Sequence, residues 1–332
     1  MRISRHSGFT LVELMVAITL GLLVTAAAIQ LYITSITSYN LQKAMSNIQD
    51  SASFGVNYIL DDVRKANLSA SFAYINDQQA NAGLLLTASN VSDQESGKYL
   101  LTLAETALTK SAVGESNVDQ KSDQLTIRYQ ATQRDYDCTG KTLAAGTYVA
   151  QRYFVGSDKA LRCVSDQYQQ TGNIITGTDG KAKTTLDLSG NGQIIIPNVD
   201  YMRIKLGYVK GALNNPTDMS YISINDYLDA SKTPAVKKNI DASKTLVVKK
   251  NIDGISREIK PNINAIQIGL LVQSNETAGN DINVRNRNKQ PFDVLGEPVT
   301  LKEEDTRLRQ VVTQTISLRN AMGWVEEGYV TQ

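Results

Sequence analysis

Histidine and cysteine are almost missing: the 332 residues hold one histidine, His6, and two cysteines, Cys138 and Cys163. A zinc site built on imidazole and thiolate takes about four ligands, so none can be assembled from this supply. Acid–base chemistry through histidine would rest on one residue near the chain start, the commonest tool otherwise being absent. No G-x-S-x-G elbow, no phosphate-cradling glycine loop and no D-x-D-x-D-G spacing occurs, and the turns Asp179-Gly180 and Gly190-Asn191-Gly192 alone do not make a calcium loop. The chain therefore reads as neither an enzyme nor a carrier of a metal or organic cofactor. Net charge is missing too, with 34 basic against 33 acidic residues, which argues against a dedicated nucleic-acid binder as a whole. The third scarcity is proline, with none before Pro197.

What is abundant sits at the start. Arg2 and Arg5 precede an apolar run, and from Leu14 to Gln42 no side chain is charged. The strongly apolar part, Leu14 to Ile33, is about 20 residues, or about 30 Å as a helix, enough to cross a hydrocarbon core. The basic flank places the N-terminus in the cytoplasm. A secretory signal peptide would have a shorter core, although Thr25-Ala26-Ala27-Ala28 imitates a cleavage site. A plain signal anchor explains the length but not Glu13, because a carboxylate in a membrane segment is costly and usually has a role.

Gly8-Phe9-Thr10-Leu11-Val12-Glu13 at the head of this run resembles the processing site of type IV prepilins and pseudopilins. The resemblance implies cleavage by a prepilin peptidase between Gly8 and Phe9, N-methylation of Phe9, and an assembly role for Glu13 as the fifth mature residue. Cleavage would remove Arg2 and Arg5 and leave Glu13 as the one acidic residue of the helix core. Its partner is then either the Phe9 amine of a neighbouring subunit, where a mis-registered charge would be penalised, or its own amine one turn away. Many major pilins carry a helix-breaking proline near the position of Gln30. Its absence here predicts a continuous helix with Gly21 as a weak point, and suits a minor subunit or pseudopilin at least as well as a shaft builder.

Beyond Ile33, Leu41, Met45, Ile48, Ala52, Val56, Ile59 and Val63 form one apolar stripe at helical spacing. The helix is predicted to end around Asn67 to Ser71. Periodicity then becomes two, in Leu125/Ile127/Tyr129, Met202/Ile204/Leu206/Tyr208, Ile266/Ile268/Leu270/Val272 and Val312/Gln314/Ile316/Leu318, which read as antiparallel strands with one face toward the helix. The expected fold is α+β and type IV pilin-like: a long N-terminal helix packed on an antiparallel sheet head. The expected segments are a leader at 1–8, a membrane and filament-core helix at 9–33, its amphipathic continuation at 34–70, and a β-rich periplasmic head at 71–332.

Asp137-Cys138-Thr139-Gly140, Tyr153-Phe154-Val155, Leu161-Arg162-Cys163, the strand from Asn264 to Val272 and the closing Thr315-Ile316-Ser317-Leu318-Arg319-Asn320 together resemble PilW-type minor pilins. That resemblance implies a minor pilin that helps prime pilus assembly and ends near the tip. Its partners would be other minor pilins, the major pilin, the prepilin peptidase and the inner-membrane assembly platform. It would lie in the inner membrane in a single pass, head in the periplasm, and afterwards in the pilus at the cell surface. A type II secretion minor pseudopilin is the near alternative. With the head in the periplasm, Cys138 and Cys163 are expected to form a disulfide, whose closed loop would restrict the unfolded chain by roughly 3–3.5 kcal/mol.

One repeat stands apart. Residues 229–240, DASKTPAVKKNI, recur at once as 241–252, DASKTLVVKKNI, and the simplest reading of 229–253 is a duplicated, solvated surface loop. Its lysines, among them Lys237, Lys238, Lys249 and Lys250, supply the contact in a second functional reading, a tip adhesin or DNA-binding pilin touching phosphates or another anionic surface. Asp229, Asp241 and Asp253 dilute that charge, and no aromatic interleaves the lysines.

Overall fold

The computed structural model describes residues 10–91, 101–172, 174–212, 215–229, 237–241, 244–247, 249–252, 255–258, 260–279, 281–303 and 305–323. Helix α1 (Leu11–Lys65) runs 55 residues without interruption. Its lower part is bare. Upward from Ala44 one stripe, Ile48, Ala52, Val56, Ile59 and Val63, is buried in the head. Met45, expected in that stripe, is instead 46% exposed, because the head begins to cover the helix on the Ala44 side. The helix stops where Asn67 and Ser69 take positive φ, and its last carbonyls are closed by a distant residue: Asn320 Nδ2 donates to the carbonyls of Arg64 and Ala66, each at 3.1 Å.

Two sheets receive the buried face. The first holds β1 (Lys110–Gly114), β2 (Ser122–Gln130), β3 (Tyr148–Val155), β4 (Leu161–Thr171) and β5 (Gln193–Ile196). Their spatial order is β5-β4-β3-β2-β1, all antiparallel, and a sixth short strand at Ile174–Thr176 pairs with the end of β4. The second holds β6 (Val199–Ala212), β7 (Asn215–Ser223), β8 (Lys237–Asp241) and β9 (Lys244–Val247). Beyond a separate hairpin of β10 (Lys249–Ile252) and β11 (Ile255–Glu258), it is completed by β12 (Ile263–Thr277) and β13 (Arg307–Ser317). Its order is β9-β8-β6-β12-β13, with β7 also on β6. Leu125 faces Tyr153, Ile204 faces Ile268 and Ile268 faces Gln314 across the ladders, so the four period-two runs are strands as read, except that Leu318 lies one residue past the end of β13. Their apolar residues share one core with the helix stripe: Ile127 and Tyr153 from one sheet, Ile204, Ile268, Leu270 and Ile316 from the other.

Gly55 marks the closest approach of helix and sheet. A Cβ there would lie 2.1 Å from Ile196 Cγ1 and 3.2 Å from the Ile195 carbonyl, so only glycine lets α1 settle onto β5. Among the described residues no ladder joins the two sheets at their seam. Instead, Ser122 Oγ accepts the Met202 N–H at 3.1 Å and Asp123 accepts the Ile204 N–H at 2.8 Å, satisfying backbone that β2 cannot pair.

The alternate, polar residues of β2 do not face water. Gln124, Thr126 and Arg128 are buried, with residues 81 and 106–107 bonded over them. Thr126 Oγ1 donates to the Ala107 carbonyl at 2.5 Å, Gln124 Nε2 to that of Thr106 at 2.7 Å, and Arg128 to Asn81 at 2.9 Å. Leu85, Leu103 and Leu108 close a second core there with Ala150, Val164 and Tyr168. Phe292, Val294 and Val299 similarly cover Tyr201 and Leu271 on the outer face of the second sheet.

Among the described residues, the tandem repeat expected as a loop forms strands. Each copy contributes its KKNI stretch to a strand, β8 and β10, and each strand turns back in a hairpin. Lys237, Lys238, Lys249 and Lys250 thus lie on strands, whereas residues 230–236 of the first copy lie outside the described residues. The arm meets the main sheet at one bridge, Ala212 with Lys237. Its root is held independently: Lys260 Nζ donates to the carbonyls of Tyr227 and Leu228 at 2.6 and 2.7 Å and pairs with Asp77 at 3.1 Å. Deleting residues 241–252 should accordingly leave a cooperatively folded head whose melting temperature, followed by circular dichroism, moves by only a few degrees. Loss of the cooperative transition would show that the arm belongs to the core.

Candidate assembly site at the helix N-terminus

Thr10 takes an extended conformation and caps α1. Its backbone N–H and hydroxyl both donate to Glu13 Oε2, at 2.9 and 3.1 Å, while the Glu13 N–H donates to Thr10 Oγ1 at 3.3 Å. This is a reciprocal capping box, in which two backbone donors at the helix start are satisfied by two side chains. The T-x-x-E spacing that signals it lies inside the processing motif, so one short stretch carries both a cap and a cleavage signature. The carboxylate also sits where the helix dipole favours negative charge. Gly8 and Phe9 lie outside the described residues.

From Leu11 to Ile36 every side chain of the helix is exposed. Leu11, Leu23 and Leu31 are 67–74% exposed. The most apolar 18-residue window has a mean hydropathy of 2.3 and is 0% buried. Four of its threonines are satisfied internally: the hydroxyls of Thr19, Thr25, Thr34 and Thr37 each donate to a carbonyl three or four residues back at 2.9 Å. A helix pairs its backbone within itself and can enter hydrocarbon, and one with this much bare apolar surface must be covered by lipid or by like helices. Gly21 does not interrupt it.

Above the bare segment, the predicted disulfide is formed. Cys138 and Cys163 are joined with their Cα atoms 6.1 Å apart, both in the core under the helix. The preceding residue sets the turn. Buried Asp137 accepts the N–H groups of Thr139 and Lys141 at 2.9 Å, and hydrogen bonds from Ser165 at 2.6 Å and Gln167 at 2.9 Å, with Gly140 at φ 81 completing the bend. Burial alone would raise the Asp137 carboxyl, but these donors together hold it below the usual carboxylate range. The stability it contributes is present above its unfolded value and is lost as pH falls through the lowered native one.

Nearer the helix, Asp62 accepts the Tyr153 hydroxyl at 2.6 Å and meets Lys65 at 3.4 Å. Burial pushes this carboxyl up, against the lowering by Tyr153 and Lys65. Lys65 also pairs with Asp135 at 2.7 Å, tying the helix end to the cystine turn. Among the described residues no group of three or more histidine, cysteine or acidic side chains could hold a metal ion.

A bare apolar helix with a capped acid at its start, continuous with a helix buried on an antiparallel head, defines a pilin-type subunit. The family model for type IV pilus-assembly protein W matches residues 152–320, just over half of the chain, and the chain belongs to that family. The matched stretch ends at Asn320, the residue that closes α1. The prokaryotic N-terminal methylation motif matches residues 3–29. Among solved structures the chain is similar to a type IV-like pilin from Thermus thermophilus, at 11% identity and a TM-score of 0.38, over 82% of this chain and 96% of that one. That likeness is too distant to carry an argument. No curated protein matches the chain.

Proposed function

We propose that the protein is a prepilin that is cut between Gly8 and Phe9, N-methylated on Phe9, and then joins other minor pilins in a complex that primes type IV pilus assembly and remains near the tip. Its partners are other minor pilins, the major pilin and, during insertion, the prepilin peptidase and the inner-membrane assembly platform. It starts in the inner membrane with its N-terminus in the cytoplasm and its head in the periplasm, an oxidising compartment in which the Cys138–Cys163 bond persists.

The observation that carries this reading is the bare helix with its acid at the first turn. Hydrophobic burial drives such a helix into lipid or into a bundle of like helices without distinguishing the two, so moving between them costs little. The charge supplies the register. Once Phe9 is the terminus, its amine carries the positive charge that Glu13 of an adjacent subunit meets when the helices are correctly staggered.

Two substitutions separate this role from the capping box. Glu13→Ala removes both charge and cap, whereas Glu13→Gln keeps an acceptor for the Thr10 N–H and loses only the charge. Both proteins should insert into the membrane normally. Both should be recovered in sheared pili about tenfold below the parent relative to the major pilin, corresponding to about 1.4 kcal/mol per subunit. Parental recovery of Glu13→Gln would assign Glu13 to the cap and remove its assembly role.

A further inference from the structure

We propose that the outer edge of β13 is the docking strand for another pilin subunit, whose own uncharged edge strand extends the second sheet across a groove beside α1. This rests on the assembly reading above.

The inference starts from what guards each sheet edge. Proteins blunt exposed edges with short strands, kinks or lysines. In the first sheet β5 has four residues, and β1 has five with Ala112 at φ 58 and Lys110 at its start. The far side of the second sheet ends in β7, whose sequence carries Pro216 and Asp218, and in the lysine-bearing hairpin of β8 and β9. β13 has eleven residues, and among the described residues no strand pairs with its outer side. From Gln310 to Ser317 it reads QVVTQTIS, without a charge and rich in β-formers. An edge of that kind left open invites pairing.

Its hydrogen-bonding pattern is fixed by its neighbour. The Leu318 N–H donates to the Asn264 carbonyl at 2.8 Å, so the even-numbered residues of this stretch bond inward to β12. By the antiparallel alternation, Val311, Thr313, Thr315 and Ser317 direct their N–H and C=O groups outward. Beside them Gln310, Val312 and Gln314 line a groove of about 340 Å³ with Gln49, Ala52 and Val56 of α1. Carboxamides and aliphatic carbons offer donors, acceptors and apolar contact but nothing to balance a charge, so the matching segment is extended and uncharged.

Geometry excludes a second copy pairing edge to edge in the common antiparallel way. The two-fold axis of such a ladder is perpendicular to the sheet and would turn the second α1 to point the opposite way. Two helices inserted in one membrane with the same orientation cannot adopt that arrangement. The other edges of this chain are short, kinked or charged, so a second copy offers no matching strand there either, and the occupant is an edge strand on a different pilin head.

The test places photoreactive benzoylphenylalanine at position 313 of the full-length chain. That chain is coexpressed in turn with each tagged prepilin of the same genome, chosen by its glycine-phenylalanine cleavage site with glutamate at the fifth mature place. One of them should form an adduct, with the cross-link in a strand of its head. Thr313→Pro removes an outward N–H and spares the ladder to β12, and Gln314→Lys puts a charge in the groove. Each variant should lower recovery of that pilin at least tenfold at equal amounts of processed chain and an unchanged melting temperature. Adducts only between two copies of this chain or only with its own residues 324–332, no adduct with any prepilin, or parental recovery with both variants would overturn the proposal. If the parent still recovers a pilin in those cases, the assembly reading stands and only this interface falls. If the parent recovers none, both fall.

Discussion

With valine at position 8, the chain should remain full-length in the inner membrane and be absent from sheared pili. A peptidase cutting between a short basic leader and a membrane helix must pass the chain through a narrow site, and a branched side chain beside the scissile bond obstructs it. Without the cut, no free amine forms at Phe9, so Glu13 has no charge to meet, and Arg2 and Arg5 would have to be drawn into an apolar filament core. The effect is close to all-or-none and is read as precursor against mature chain on an immunoblot. A mature-length chain at parental yield would mean that the cut lies elsewhere.

Arg309→Met should destabilise the head by about 3–5 kcal/mol, lowering its melting temperature by on the order of 10 °C. The Arg309 and Asp200 side chains are wholly buried, with Nε donating to Asp200 Oδ2 at 2.7 Å. Arg309 also reaches Asp305 at 2.7 Å and Gln273 at 3.2 Å, pinning β13 to β6 across β12. Removing the arginine strands a carboxylate in low dielectric, and that residual charge accounts for most of the loss. Arg309→Met combined with Asp200→Asn should therefore recover a substantial part of it. Thermal melts of the full-length chain in detergent decide the matter, and a single variant melting within a degree of the parent would contradict the assignment.

The parts of this fold that could be read in advance are those with a period. The helix shows in the spacing from Ile48 to Val63, four strands show in their alternation, and the membrane segment shows in its length and lack of charge. The cystine followed from two cysteines and the compartment that the leader implies. The sequence between 72 and 110 has no period, so the cover that Asn81, Thr106 and Ala107 place over Gln124, Thr126 and Arg128 does not show in it, and alternating polar residues read as a solvent face. Arg309 and Asp200 lie 109 positions apart and only the ladder brings them together. Asn320 closing α1 from the far end of the chain is hidden for the same reason. The capping box is legible, but one short motif carries two meanings. The repeat showed its duplication plainly but not its hairpins, because lysine-rich ribbons have weak alternation.

The central claim is that this chain is processed as a prepilin and enters a pilus. The most direct measurement is the mass of the N-terminal peptide recovered from sheared, purified pili. The expected peptide begins at Phe9 and carries one methyl group on its amine. A peptide beginning at Met1, or one beginning after the Thr25–Ala28 stretch as a secretory cleavage would leave it, would contradict the account.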